Sequence, residues 1–212
     1  MIEHFDKDLF KKCLPHLGKQ PVIFDVGAHE GKFTEFVLQL LPNAKCYMFE
    51  PNIELAIKIG ARALAISDHN GFVPFYIPPK KNDELSSLYK REVFDETGYE
   101  EIEVGCTSID SFCSVNHISE IDYLKVDVEG AELDVLNGCK EMMASRDIKF
   151  IQLEYGGTYP DAGITFMQII ETANKYGYNV YELVDKILTP VTTINFIEDY
   201  RYAVFLLTYI KC

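Results

Sequence analysis

Three carboxylates stand at the ends of two successive apolar runs. The stretch "LKVDVEGAE" carries Asp127 and Glu129, and "LEYGGTYP" carries Glu154. Two acids spaced by two along a strand point to the same side. At the carboxyl edge of a central strand in an open α/β sheet, that side is the ligand crevice. Gly130 and Ala131 then let the following helix start close to the sheet. Carboxylates are expensive to bury without partners, so these three must meet a ligand, a cation or a helix end. As oxygen donors, Asp127, Glu129 and Glu154 suit magnesium or manganese. Asp127 or Glu129 could instead cap the next helix. His4, His16, His69 and His117 show no ligand spacing with one another.

A second group lies in "VIFDVGAHEGKFTEF", a strand, a turn and a helix in succession. A glycine-rich turn of this kind brings backbone N–H groups and a helix dipole to an anion. The pattern is D-x-G-x-x-x-G, with Asp25 at the strand end and glycine at Gly27 and Gly31. A dinucleotide fingerprint needs glycine where His29 and Lys32 stand, so nicotinamide and flavin dinucleotides are disfavoured. Thr34 can offer a hydroxyl at the helix start. The alternative is a tight turn that only packs helix on sheet.

The next strand ends in "FEP". Glu50, nineteen residues after Gly31, can accept two hydrogen bonds from vicinal ribose hydroxyls. Pro51 would stiffen the backbone beside an adenine. Together, loop and acid point to an adenosine-containing molecule. In "AISDHNG", Ser67 and Asp68 fall where an adenine amino edge is expected, or Asp68, Asn70 and Gly71 build a turn.

These positions require strands that deliver them to one edge. "PVIFDV", "AKCYMFE" and "ARALAIS" read as strands separated by helical stretches "GKFTEFVLQLL" and "NIELAIKIG". The order βαβαβ predicts an α/β sheet with helices on both faces. Before it, Phe5, Leu9, Phe10, Leu14 and Leu17 sit at near-helical spacing in a 1–20 extension that ends or kinks at Pro15. Residues 68–108 break the rhythm. "GFVPFYIP" and "EIEVGCTS" read as an antiparallel pair around a long polar loop, and such loops inside a domain are often functional. Alternation resumes with "IDYLKVDV", "GAELDVLNGCKEMMAS", "IKFIQLEY" and "TFMQIIETANKYG". "YNVYELV" and "RYAVFLLTYI" close the count at about seven strands, the last two joined by a short loop and antiparallel.

The 212 residues suit one domain, 1–212. Apolar residues make up 48% and charged residues 25%, as in ordinary globular proteins. A formal net charge of -13 repels phosphate backbones, which argues against nucleic acid as a partner. The six cysteines are scattered with no C-x-x-C pair, which suggests free thiols in a reducing compartment, the cytoplasm. No signal pattern opens the chain and no run is long enough for a membrane span.

In this order, "FDVGAHEGKFT", "FEP", "ALAISDHNG", "SSL", "TSID" and "IDYLKVDVEGAE" resemble the FkbM family of S-adenosylmethionine-dependent methyltransferases, a Rossmann-like class, from about Val22 to Leu207. Asparagine is usual at position 29 in that family, so His29 is a departure. The resemblance implies that Gly27, Ala28 and Gly31 with Thr34 hold the methionine carboxylate, beside Asp25 and His29. It implies Glu50 at the ribose with Pro51 and Asn52 lining it, and Ser67 and Asp68 near adenine. Asp127 and Glu129 would lie near the sulfonium and the acceptor. Family members mostly methylate hydroxyls of sugars or sugar-like rings, so a glycan, glycoside or nucleotide sugar is the expected acceptor.

Methyl transfer to a hydroxyl is helped by a base or by a bound divalent cation, magnesium or manganese. Asp127 and Glu129 are base candidates by position, His29 by its neutral-range pKa, and Glu154 stands behind them. Alternatively, His29 only shapes the loop. The segment 79–98 is expected to close over the acceptor, with Lys80, Lys81, Lys90 and Arg91 beside Tyr89 and Tyr99 as partners for a phosphate, or to be a solvated loop. Other readings are a natural-product O-methyltransferase, a non-catalytic adenosine-cofactor-binding domain, an NAD-dependent reductase, and methyl transfer to protein or nucleic acid. The glycine pattern and the acidic charge disfavour the reductase and nucleic acid, and a homo-oligomer remains open.

Overall fold

Val22–Val26 is apolar but for Asp25 and pairs in parallel with a strand on each side. The computed structural model describes residues 3–94, 96 and 98–210, with side chains described except at 3–6, 80 and 81. The strands are β1 Val22–Val26, β2 Lys45–Phe49, β3 Ala65–Ile66, β4 Gly71–Ile77, β5 Glu100–Thr107, β6 Ile121–Val126, β7 Ile148–Tyr155, β8 Asn179–Val184, β9 Ile187–Val191 and β10 Ala203–Thr208. The helices are α1 Glu3–Cys13, α2 Lys32–Leu40, α3 Ile53–Ile59, α4 Ile109–Val115, α5 Glu132–Asn137, α6 Lys140–Ser145, α7 Thr158–Ala162 and α8 Phe166–Lys175.

Seven strands form one sheet in the order β2-β1-β6-β7-β10-β8-β9. β2, β1, β6 and β7 pair in parallel, and β10 runs antiparallel to both β7 and β8. This is the Rossmann-like sandwich with its antiparallel last strand. Its inner parallel strands β1, β6 and β7 are buried on both faces, which is why β6 and β7 read as near-continuous apolar runs. Their carboxyl ends carry Asp127, Glu129 and Glu154 to one edge.

The membership of the sheet differs from the sequence reading at two strands. "ARALAIS" contributes only β3, and β3 pairs with β5 in a separate three-stranded sheet. The insertion supplies that partner: β4 and β5 form the expected antiparallel pair, and β5 takes β3 on its other side. The segment before β3 still follows β2, through Arg62 N–H to Met48 O (2.9 Å) and Glu50 N–H to Arg62 O (3.0 Å). The seventh strand is β9, which makes a hairpin with β8. β10 is therefore reached by residues 185–202, not by a short loop.

The helix read from "GAELDVLNGCKEMMAS" is two helices, α5 and α6, broken at Gly138. A Cβ on Gly138 would lie 2.1 Å from Ser67 O, so the chain passes the β3 end backbone to backbone. The short helices α4 and α7 fall in stretches where no helix was read. α1 ends as foreseen, in a 3-10 turn at Leu14–His16 that holds Pro15. The side chain of Phe5 lies outside the described residues; Leu9, Phe10 and Cys13 are buried, and the Phe10 ring meets Tyr123 edge-on at 4.9 Å. No helix among the described residues is long and apolar enough to cross a membrane. Cys46, Cys106, Cys113 and Cys139 are free thiols.

Candidate active site

β1 ends at Gly27, whose positive φ of 77° turns the chain over the sheet edge. A Cβ there would sit 1.8 Å from Asp127 O, so only glycine fits between the ends of β1 and β6. The N–H groups of Gly27 and Ala28 both donate to Phe49 O, at 3.1 and 3.0 Å. Gly31, also at positive φ, donates to Ala28 O (2.7 Å) and opens α2. Two of these N–H groups thus tie the loop to the end of β2, and the third closes the loop on itself.

Asp25 and Thr34 lie beneath the loop. Thr34 Oγ1 donates to Asp25 Oδ2 at 2.7 Å, and Lys125 Nζ is 3.9 Å from Asp25 Oδ1. Burial raises the Asp25 pKa, and Lys125 and Thr34 draw it back. Neither Asp25 nor Thr34 lines the two cavities at this edge; the pair fixes the helix start under the loop.

Glu50 ties two loops together. Its Oε2 accepts from His29 N–H and its Oε1 from Asn52 N–H, each at 2.9 Å. Each carboxylate oxygen keeps a second lone pair for another donor. Burial raises the Glu50 pKa, and the two backbone donors oppose that rise. Asn52 caps α3 through Oδ1, accepting from Glu54 and Leu55 N–H, and it reaches the site only through Glu50.

A cavity of about 220 Å³ opens at this edge. Gly27, His29, Glu50 and Pro51 form one side, and Phe49, Ile66, Phe75 and Leu88 supply apolar wall. The insertion covers it with Asp83, Leu85 and Ser86. His29, at φ 45°, places a buried Nε2 on this wall with no hydrogen-bond partner, 3.8 Å from Asp83 Oδ1. Ser67 and Asp68 are not on it. They line a neighbouring hollow that shares Leu88, and Asp68 Oδ1 holds His69 Nδ1 at 2.7 Å.

A second cavity of about 290 Å³ adjoins the first. Arg91, Glu132, Gly156, Gly157, Tyr200 and Tyr202 belong to it alone, whereas Leu85, Asp127, Glu129 and Glu154 line both. Oxygens of Asp127, Glu129 and Glu154 lie within 4.8 Å of one another. The three acids are therefore the partition between two chambers.

Their electrostatics differ. Asp127 Oδ2 is paired with buried Lys125 Nζ at 2.9 Å. Glu129, at φ 54°, has Arg91 Nη1 3.8 Å from its Oε2. Burial, with Asp127 and Glu132 beside it, pushes the Glu129 pKa up to about 8. Glu132 is buried as well and accepts from Val128 N–H (3.2 Å) and Gly130 N–H (3.0 Å). Burial takes its pKa up to about 8.

The segment 79–98 lies against this edge. Arg91 sits between Glu129 and Asp161, 3.4 Å from Asp161 Oδ2, and Tyr89 OH donates to Asp134 Oδ2 at 2.8 Å. Lys90 pairs with Glu101 at 3.5 Å and lies over the Tyr76 ring. Two of the cations expected to meet a phosphate thus have carboxylate partners; the side chains of Lys80 and Lys81 lie outside the described residues. Lys125 and Glu132 did not enter the sequence reading. Lys125 was detectable as a lysine inside an apolar strand, on the same face as Asp127 two residues on. Glu132 was detectable as an acid three residues past Glu129, within reach back to the turn.

Residues 25–180 match the Methyltransferase FkbM domain. The 2-O-methyltransferase NoeI of Sinorhizobium fredii is 31% identical over 157 residues, 64% of this chain and 63% of that protein. The methyltransferase sdnD of Sordaria araneosa is 28% identical over 165 residues, 60% of this chain and 64% of that protein. The chain thus spans less than two thirds of either relative. In fold, the crystal structure of a methyltransferase FkbM from Methylobacillus flagellatus superposes with a TM-score of 0.54 at 11% identity, covering 89% of this chain and 44% of that one.

Proposed function

The chain belongs to the FkbM methyltransferase family, and from that premise we propose that it transfers a methyl group from S-adenosylmethionine to a hydroxyl of a sugar or glycan. The observation that carries this reading is the pair of adjoining cavities with Asp127, Glu129 and Glu154 as their shared wall. A group transfer needs two bound molecules with their reacting atoms in line, and such alignment can contribute roughly 7–11 kcal/mol.

The first cavity fits the cofactor. Glu50 offers two further lone pairs to ribose hydroxyls, Pro51 and the apolar wall suit a base, and the carboxylates of the partition suit a cation. The partnerless Nε2 of His29 is a donor or acceptor for the methionine end. That assignment takes over from Gly27, Ala28 and Gly31, whose N–H groups are engaged by Phe49 O and Ala28 O. Bound S-adenosylmethionine supplies an electrophilic methyl on sulfur. Asp25 and Thr34 support the loop from below, and Ser67 and Asp68 lie one hollow away.

The second cavity takes the acceptor. Tyr200 and Tyr202 present aromatic surface for the apolar face of a sugar ring. With Arg91 paired to acids and Lys90 paired to Glu101, a glycoside suits this chamber better than a nucleotide sugar. NoeI is named as a 2-O-methyltransferase, which agrees with an oxygen acceptor.

Glu129 is the base in this reading. It borders both chambers, and its closest cation is farther away than the Lys125 ammonium is from Asp127. Its pKa near 8 matches a proton acceptor at working pH. Asp127, paired with the Lys125 ammonium at 2.9 Å, faces the sulfonium. His29 borders only the first cavity and is assigned to the cofactor side.

The test is calorimetry of S-adenosylmethionine binding together with single-turnover methyl transfer to a panel of glycosides. The three acids of the partition are also oxygen donors of the type magnesium or manganese takes, so the panel is run with and without EDTA. Glu50→Ala is expected to weaken cofactor binding with turnover at saturation kept. Glu129→Gln should bind cofactor normally and lose roughly 100- to 10,000-fold in rate. Because the base acts ionised, wild-type turnover should rise as pH passes through about 8. Unchanged turnover in Glu129→Gln would move the base to Asp127 or Glu154.

A further inference from the structure

Glu129 is reached through a turn in an unfavourable conformation. Its φ is 54° and that of Gly130 is 109°, so two successive residues stand in positive-φ backbone. Such a turn keeps its shape only if its surroundings hold it. Below, Glu132 does so with two hydrogen bonds to the N–H groups of Val128 and Gly130. Above, the contact comes from the insertion: Ser87 Oγ donates to Glu129 O at 2.7 Å and accepts from Tyr89 N–H at 3.0 Å.

Ser87 is buried, 2% exposed. It is anchored by its own backbone, with Ser87 N–H donating to Tyr76 O and Tyr76 N–H to Ser87 O, so it is a fixed point of the insertion sheet. Its partner carbonyl belongs to the residue that carries the base. Ser86, its neighbour, lines the first cavity.

We propose that Ser87 is a positioning residue for methyl transfer: its hydroxyl locks the Glu129 carbonyl, so the base is held in place only when the insertion is docked. This rests on the methyl-transfer reading above. Ser87 touches neither cofactor nor acceptor cavity. Its effect passes through the turn, and the grip of Arg91 on the Glu129 side chain comes from the same segment.

The experiment compares wild type with Ser87→Ala and Ser87→Thr. Three quantities are measured: cofactor affinity by calorimetry, amide hydrogen exchange at Gly130, and single-turnover transfer to a methyl glycoside. Ser87→Ala should leave the cofactor Kd and the acceptor KM within about twofold. It should speed Gly130 exchange and slow turnover, each about tenfold, the size of one lost hydrogen bond of about 1.4 kcal/mol. Ser87→Thr keeps the hydroxyl and should restore both. Wild-type turnover and exchange in Ser87→Ala, or a threonine variant no better than alanine, would overturn the inference and leave the methyl-transfer reading standing. No transfer by the wild type to any glycoside would overturn that reading, and Ser87's part in catalysis with it.

Discussion

At the scale of single residues, two loop glycines separate two kinds of constraint. Gly27 and Gly31 share a positive φ, 77° and 74°. Gly27→Ala would also drive a Cβ into Asp127 O, whereas at Gly31 the nearest atom is Ile59 Cβ at 3.6 Å. Gly31→Ala should therefore cost about 1–2 kcal/mol, the left-handed backbone penalty. Gly27→Ala should cost about 3 kcal/mol or more and abolish cofactor binding. Urea midpoints and calorimetry on the two variants check this; equal losses would mean that the Asp127 contact does not matter. From sequence, Gly27 was legible as a turn glycine, and Glu50, Asp127, Glu129 and Glu154 as acids of one edge. What could not be read was the use of the loop's own donors. Whether an N–H of Gly27 or Ala28 faces a ligand or Phe49 O depends on where β2 ends in space, and no spacing records that.

The elements tell a similar story about locality. The four parallel strands were legible because each is an apolar run closed by an acid or a turn. β3 was read as a strand, but its place in the second sheet was not, because its partner β5 lies in the insertion; β9 was not read, because its partner is the neighbouring β8. Within the insertion, the segment 79–98 read as a polar loop because its fixed points are single contacts: Ser87 to Glu129, Tyr89 to Asp134, Arg91 to Glu129 and Asp161. Arg91 is mostly buried, with 14% of its side chain exposed, so it leaves two acids unpaired when removed. Arg91→Ala should loosen the segment without unfolding the sheet. Chymotrypsin, which cuts at aromatic residues such as Tyr89 and Phe94, should cleave 79–98 several-fold faster in the variant. S-adenosylmethionine and acceptor together should slow it again. A cleavage rate equal to wild type would show that the other contacts hold the segment alone.

For the molecule as a whole, the buried acids at the strand edge set a pH dependence opposite to that of the chemistry. Glu129 and Glu132 keep their protons to about 8 when folded, against an ordinary 4.5, and Asp25 and Glu50 are shifted in the same direction. The folded state binds more protons than the unfolded one between those limits. Their contribution is complete below about 4.5 and is lost as pH rises through about 8. Thermal scans should thus give a lower Tm at pH 9 than at pH 6, while turnover rises over the same interval. A Tm that is flat or higher at pH 9 would show that these carboxyls ionise without strain. The interlock of Gly27 with Asp127 also bears on how the chain folds. β1 lies between β2, which follows it closely, and β6, which begins at Ile121. A nascent chain that has released only its first hundred residues carries the glycine loop, Glu50 and much of the insertion. It still lacks the strand against which Gly27 is seated. Closing that span is a long-range event with a large entropic cost. The cavity beside Gly27 and Glu50 is thus completed late in folding, and truncation before β6 should yield no fragment that binds S-adenosylmethionine at half affinity.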